Sequence, residues 1–165
     1  MKTLRSTKNV WMAEMAGLLA RWFLGAVFVC LGFSKALHPV EFLKLIRQYD
    51  AVHTPWLLNS IAAALPWFEV VCGALLLAGI AVRGSALLVT GFLVLFTWMV
   101  VHRALALQLG IPFCAIKFDC GCGAGEVFIC RKLLENAGLT LLSTWLLAGR
   151  GRRFCLRYRL TQHGA

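Results

Sequence analysis

Acidic side chains are scarce in this chain. Only 7 Asp and Glu stand against 17 Lys and Arg in 165 residues, and charged residues of both signs make up 15%. A soluble domain carries roughly a quarter of its residues as charges, so this surface is too poor in charge for that class. Hydrophobic residues account for 60% and mean hydropathy is +0.77, so the apolar excess has to face lipid. The net charge of +10 invites a nucleic-acid reading. The basic residues, however, form no aromatic-interleaved patch; they gather at the two ends, as on the cytoplasmic flanks of membrane helices. No small-residue cleavage site follows the first apolar run, which is therefore expected to be a retained helix. Internal repeats and low-complexity segments are also lacking. The expectation is an all-α membrane protein, a four-helix transmembrane bundle in one domain over residues 1–165.

The first apolar run covers about 16–37, enough to cross roughly 30 Å of hydrocarbon. Arg21 and Lys35 lie towards its ends, where long side chains snorkel, and His38-Pro39 stops it. Residues 40–55 mix Phe42, Leu43, Leu45, Ile46 and Tyr49 with Glu41, Lys44, Arg47 and Asp50, the pattern of a short amphipathic helix. The second span is expected at 61–82 and the third at 85–101, with Arg83-Gly84 as the turn between them. A long connector, 104–129, leads to a fourth span at 130–148, and a basic tail, 149–165, holds Arg150, Arg152, Arg153, Arg157 and Arg159. Four spans put both termini on one side. Lysines and arginines concentrate there, which places both termini in the cytoplasm and the long connector on the exoplasmic side. In a bacterium this is the inner membrane and the periplasm, where disulfides persist.

Seven cysteines fall into three groups. Cys30 and Cys72 sit in apolar spans, where a free thiol acts as a small hydrophobe. Cys155 lies in the tail and reads as an idle reduced thiol. Cys114, Cys120, Cys122 and Cys130 share the connector and the mouth of the fourth span. The Phe118-Asp119-Cys120-Gly121-Cys122-Gly123 stretch is the most chemically loaded in the chain, because Gly121 lets two nearby sulfurs meet. Three readings compete for it. Cys120 and Cys122 are a redox pair exchanging with Cys114 and Cys130 as relay or second disulfide; or the bridges are loop staples; or four thiolates hold zinc. The C-x-C spacing is tighter than a zinc knuckle, and a bridge closed over one residue restrains little chain, so the redox reading leads. Lys117 would favour a thiolate there and Asp119 oppose it.

Glu69 is the costliest residue in any span, and an ionisable group at that depth pairs or functions. Lys35 is at compatible depth, so an intramembrane polar pair Lys35–Glu69 competes with a proton-handling role for Glu69. Glu135, beside Asn136, has Arg131 four residues back on its own helical face. Trp56, Trp67, Trp98 and Trp145 suit interfacial belts or packing.

Arg21-Trp22-Phe23-Leu24-Gly25, Gly32-Phe33-Ser34-Lys35, His38-Pro39-Val40-Glu41-Phe42, Tyr49, Pro55 and Leu65-Pro66-Trp67-Phe68-Glu69 with Gly73, Leu76 and Gly79 resemble the DoxX-like membrane proteins. With the Cys-Gly-Cys turn before the last span, the pattern over about 18–148 resembles their MauE branch, the methylamine utilisation proteins. That resemblance implies an inner-membrane accessory of periplasmic methylamine dehydrogenase maturation. By the same resemblance the client would be that enzyme's disulfide-rich small subunit, and the accessory would work beside a periplasmic thioredoxin-like protein. Cys120 and Cys122 would then be catalytic, in a thiol-disulfide oxidoreductase. No cofactor is evident in the sequence; a membrane quinone is a conceivable electron acceptor. Two other functional classes compete, a non-catalytic assembly factor and a small proton-coupled transporter subunit using Glu69.

Overall fold

The structure, a computed structural model, describes residues 2–49, 54–107, 112–119, 126–148 and 155. Among these residues the chain forms five α-helices and one two-stranded ribbon. Helix α1 (Lys2–Leu37) runs into α2 (Pro39–Gln48) through His38 alone. Pro39, at the start of α2, lacks the N–H that would continue α1 and has the φ a first helical turn needs. Phe42 and Ile46 of α2 are buried, one turn apart, against Leu58 and Ala62 of α3 (Pro55–Ala78). The amphipathic connector is thus a helix lying on the bundle.

Helix α3 begins with Pro55 following Thr54 and ends at Gly79, whose φ of 71° is left-handed. Glycine takes that conformation without a Cβ clash. It turns the chain so that the Ile80 N–H reaches back to the Leu75 carbonyl at 3.0 Å, satisfying one of the orphaned helix-end acceptors. Helix α4 (Val82–Leu107) follows after only three residues. This corrects the sequence reading in two places. The turn is Gly79–Ala81, and Arg83-Gly84 lies inside α4; an apolar run across Ile80, Ala81 and Val82 had concealed the break. The spans are also longer than expected, because helical structure continues past the apolar stretch at the start of α1 and at the end of α4.

Three helical segments are long and apolar enough to cross a membrane: Trp11–Leu37, Pro55–Ala78 and Val82–Leu107. The protein is a multi-pass membrane protein. The last helix, α5 (Ile129–Leu147), has 19 residues, a span's length, but carries Arg131, Lys132 and Glu135 in its first two turns. Its long partner is α4, as α3 is for α1.

The two helix pairs are joined by different chemistry. Between α1 and α3 the contact is glycine on backbone. A Cβ at Gly73 would lie 2.7 Å from the Gly25 carbonyl oxygen, and one at Gly25 2.8 Å from that of Gly73. Small residues of this kind let helix backbones approach closely in lipid. Between α4 and α5 the contact is polar. The Thr90 and Ser143 hydroxyls lie 2.7 Å apart, and both reach the Ala86 carbonyl, at 2.8 and 2.9 Å. Further along, Asn136 Nδ2 donates to Thr97 Oγ1 at 3.3 Å. One apolar core, including Leu24, Phe28, Cys72, Leu76, Val89, Leu93 and Leu146, ties the pairs together at the end where α3 meets α4. Trp56, Trp67 and Trp98 project outward, as membrane-facing aromatics do.

Candidate functional site

The connector expected to be loop has a built stem. Phe113–Ala115 forms a single 3-10 turn, β1 is Lys117–Asp119 and β2 is Glu126–Phe128. The strands pair antiparallel with Lys117 opposite Phe128 and Asp119 opposite Glu126. The Ile129 N–H donates to the Ile116 carbonyl at 3.2 Å, continuing the ladder into the first residue of α5. Ile116 and Ile129 are buried with Ala104, and Phe113 and Leu133 pack on them. This small core seats the ribbon on the ends of α4 and α5. Strands of three residues are too short to leave an alternating pattern in sequence, which is why the ribbon was not foreseen.

At the base of the ribbon Cys114 and Cys130 are joined by a disulfide, their Cα atoms 5.1 Å apart and 16 residues apart in sequence. The chain between the strands, residues 120–125, holds Cys120 and Cys122. Both lie outside the described residues, as do Asp50 and the tail arginines. Lys117 Nζ lies 4.7 Å above the Phe128 ring.

A second polar site is inside the bundle. Lys35 Nζ donates to both carboxylate oxygens of Glu69, at 2.6 and 2.8 Å, and sits 5.4 Å from the Phe42 ring. The two side chains retain only 13% and 11% exposure. The approach is possible because Gly32 faces α3 here: a Cβ on it would stand 2.7 Å from the Pro66 carbonyl and 2.9 Å from Glu69 Cβ. On α5, Glu135 pairs with Arg131 at 3.1 Å and with Lys132 at 3.7 Å. Lys132 is buried and its ammonium lies 5.9 Å from the Phe96 ring; Phe96 in turn meets Tyr49 edge-on.

Arg21 departs from the sequence reading. Expected to snorkel at the end of a span, it is 1% exposed, because α1 starts far earlier and leaves Arg21 mid-helix. Its Nη1 donates to Cys155 Sγ at 2.7 Å. Cys155 is therefore not an idle tail thiol. Burial pushes the thiol above its ordinary range, while the neighbouring guanidinium pulls the other way. A contact across 134 residues has no local sequence signal. Cys72 is buried in the core, whereas Cys30 is exposed on the outer face.

A multi-pass helical membrane protein with a disulfide-based ribbon on one end of its bundle is the class that fold and site define. Residues 13–149 match the family model described as "Methylamine utilisation protein MauE", and the chain belongs to that family. No curated protein and no solved structure matches it significantly.

Proposed function

We propose that the protein is an inner-membrane thiol-disulfide exchange factor for maturation of a periplasmic, methylamine dehydrogenase-like enzyme. Four helices, α1, α3, α4 and α5, span the bilayer with both termini in the cytoplasm, and the ribbon stands on the periplasmic side. Cys120 and Cys122, joining the ribbon strands, exchange disulfides with a thioredoxin-like partner, and the small subunit of the dehydrogenase is the client. Lys35 and Glu69 neutralise each other between α1 and α3 inside the bundle.

The observation that carries this reading is the Cys114–Cys130 bridge at the base of the ribbon. A disulfide in that position belongs in an oxidising compartment, which agrees with the concentration of lysine and arginine on the opposite ends. Family membership supplies the methylamine context. In the bilayer α5 is expected to be held by α4 more than by its own hydrophobicity. Its Asn136 and Ser143 face Thr97 and Thr90, and interhelical hydrogen bonds are one of the forces that associate helices in lipid.

The test is complementation in a strain lacking the gene. Cys120→Ser and Cys122→Ser variants, present in the membrane at wild-type level, are expected to leave the dehydrogenase small subunit reduced or degraded. Full maturation with either variant would remove thiol exchange from the function and leave a docking factor.

A further inference from the structure

The bridge at the ribbon base is asymmetric in two independent ways. Cys114 is exposed, and Cys130 is only partly so. Phe113 and Ile116, on either side of Cys114 and Ala115, pack into the small core under the ribbon. The turn between them is thereby pinned with Cys114 facing outward. Cys130, by contrast, is the second residue of α5, a helix of 19 residues with no acidic side chain in its first turn and no side-chain cap. The peptide dipoles of such a helix place about half a positive charge at that end. A thiolate formed there is stabilised, as at other helix N-termini.

We propose that Cys114–Cys130 is an exchange disulfide of fixed polarity: an incoming protein thiolate attacks Cys114 Sγ, and Cys130 leaves as the thiolate. The first step breaks the Cys114–Cys130 bond and forms one bond between Cys114 and the partner sulfur. The partner's second thiolate then attacks that partner sulfur and expels Cys114. The partner's two thiols become a disulfide, and Cys114 and Cys130 take up the two electrons and two protons. The attacked cysteine is the more exposed of the two, and the leaving sulfur is the one whose anion the helix favours; both conditions speed exchange. Phe113 and Ile116 keep Cys114 beside the start of α5 after the bond opens, so the two reduced thiols stay within bonding reach.

Charged groups of both signs lie near Cys130 along the chain. Arg131 and Lys132 follow it on α5, with Glu135 paired to both. From the ribbon, Lys117 lies over Phe128, the residue that precedes α5. Asp119 and Glu126 form the strand pair farthest from the bridge. The proposal rests on the thiol-exchange reading above and adds to it a second exchange disulfide with a stated direction of attack.

The experiment uses the full chain in lipid nanodiscs with Cys120 and Cys122 both changed to serine, so that it reads this bridge alone. Reduced glutathione is added briefly, the reaction is quenched in acid, and the mixed disulfide is located by peptide mapping. Glutathione is expected on Cys114 in at least about tenfold excess over Cys130. In the same background carrying Cys114→Ser, the pH dependence of Cys130 alkylation is expected to show a thiolate fraction at pH 7 about tenfold above that of a free cysteine. Mapping on the intact bridge stands even where Cys114→Ser fails to fold. Adduct on Cys130, equal labelling of both cysteines, or a bridge inert to glutathione overturns the proposal. Because Cys120 and Cys122 are absent, that failure is distinct from failure of their cycling in cells.

Discussion

Removing either member of the Lys35–Glu69 pair orphans a charge inside the bundle. The ammonium lies 2.6 and 2.8 Å from the two carboxylate oxygens. At such separations and an effective dielectric constant of about 20, the attraction is about 6 kcal/mol. Desolvating two ions costs several kcal/mol each, so the pair as a whole contributes little net stability. Leaving one ion without the other does not cancel in this way and costs about 3–5 kcal/mol. Glu69→Gln and Lys35→Met are each expected to lose that amount. For Lys35→Met, the loss includes the Phe42 ring contact, worth about 0.5–2 kcal/mol. The double variant is expected to lose clearly less than the sum, with a coupling of at least about 2 kcal/mol. Cys72, one helical turn from Glu69 and 2% exposed, reports the opening: its maleimide labelling in detergent, followed against denaturant, reads the stability of the α1–α3 pair. Single variants within about 1 kcal/mol of the parent, or strictly additive losses, would refute a pairing role and return Glu69 to consideration as a proton carrier.

Other perturbations follow from the same geometry. Gly73→Leu forces α1 and α3 apart, because its Cβ alone would lie 2.7 Å from a backbone oxygen that has no side-chain freedom; the expected result is loss of folded protein in the membrane, measured by detergent-resistant gel filtration. Asn136→Leu and Ser143→Ala each weaken the α4–α5 seam by about 0.6 kcal/mol, read as slightly earlier thermal unfolding. A loss of several kcal/mol from either would mean that the seam does more than pair the helices. An alkaline phosphatase fusion after Gly125 is expected to be active and one after Arg153 inactive; the reverse pattern would invert the topology.

Much of the helical layout was legible because lipid imposes a coarse code. Long apolar runs give α1, α3 and α4, Pro39 separates α1 from α2, and the four-residue spacing of Phe42 and Ile46 gives α2. Helix α3, however, starts at Pro55, ahead of the expected 61, because the helix runs through the polar Asn59 and Ser60. The ends were less legible, since a glycine in the left-handed conformation at position 79 and an Arg-Gly dipeptide at 83–84 look equally turn-like in sequence. Of the site, the Lys35–Glu69 pairing could be anticipated from matched depth, and Arg131–Glu135 from four-residue spacing. The Cys114–Cys130 bridge was one of three connectivities open to the four connector cysteines. The glycine seam had a signal, Gly25 and Gly32 seven residues apart on one helix face with Gly73 on α3, but spacing alone does not name the partner. Arg21 with Cys155, Lys132 with Phe96, and the ribbon depend on contacts between segments distant in the chain or too short to carry a period.

Turnover of Cys120 and Cys122 in the periplasm, the core of the proposed function, is read most directly by trapping their thiols. Intact cells expressing the chain are quenched in acid and alkylated with a mass-tagged maleimide before and after reduction, with and without the dehydrogenase small subunit being made. A Cys120–Cys122 pair that shifts from mostly oxidised to partly reduced while the client is produced, and back when synthesis stops, is the predicted result. A pair that stays fully oxidised, or fully reduced, in both conditions would contradict the account.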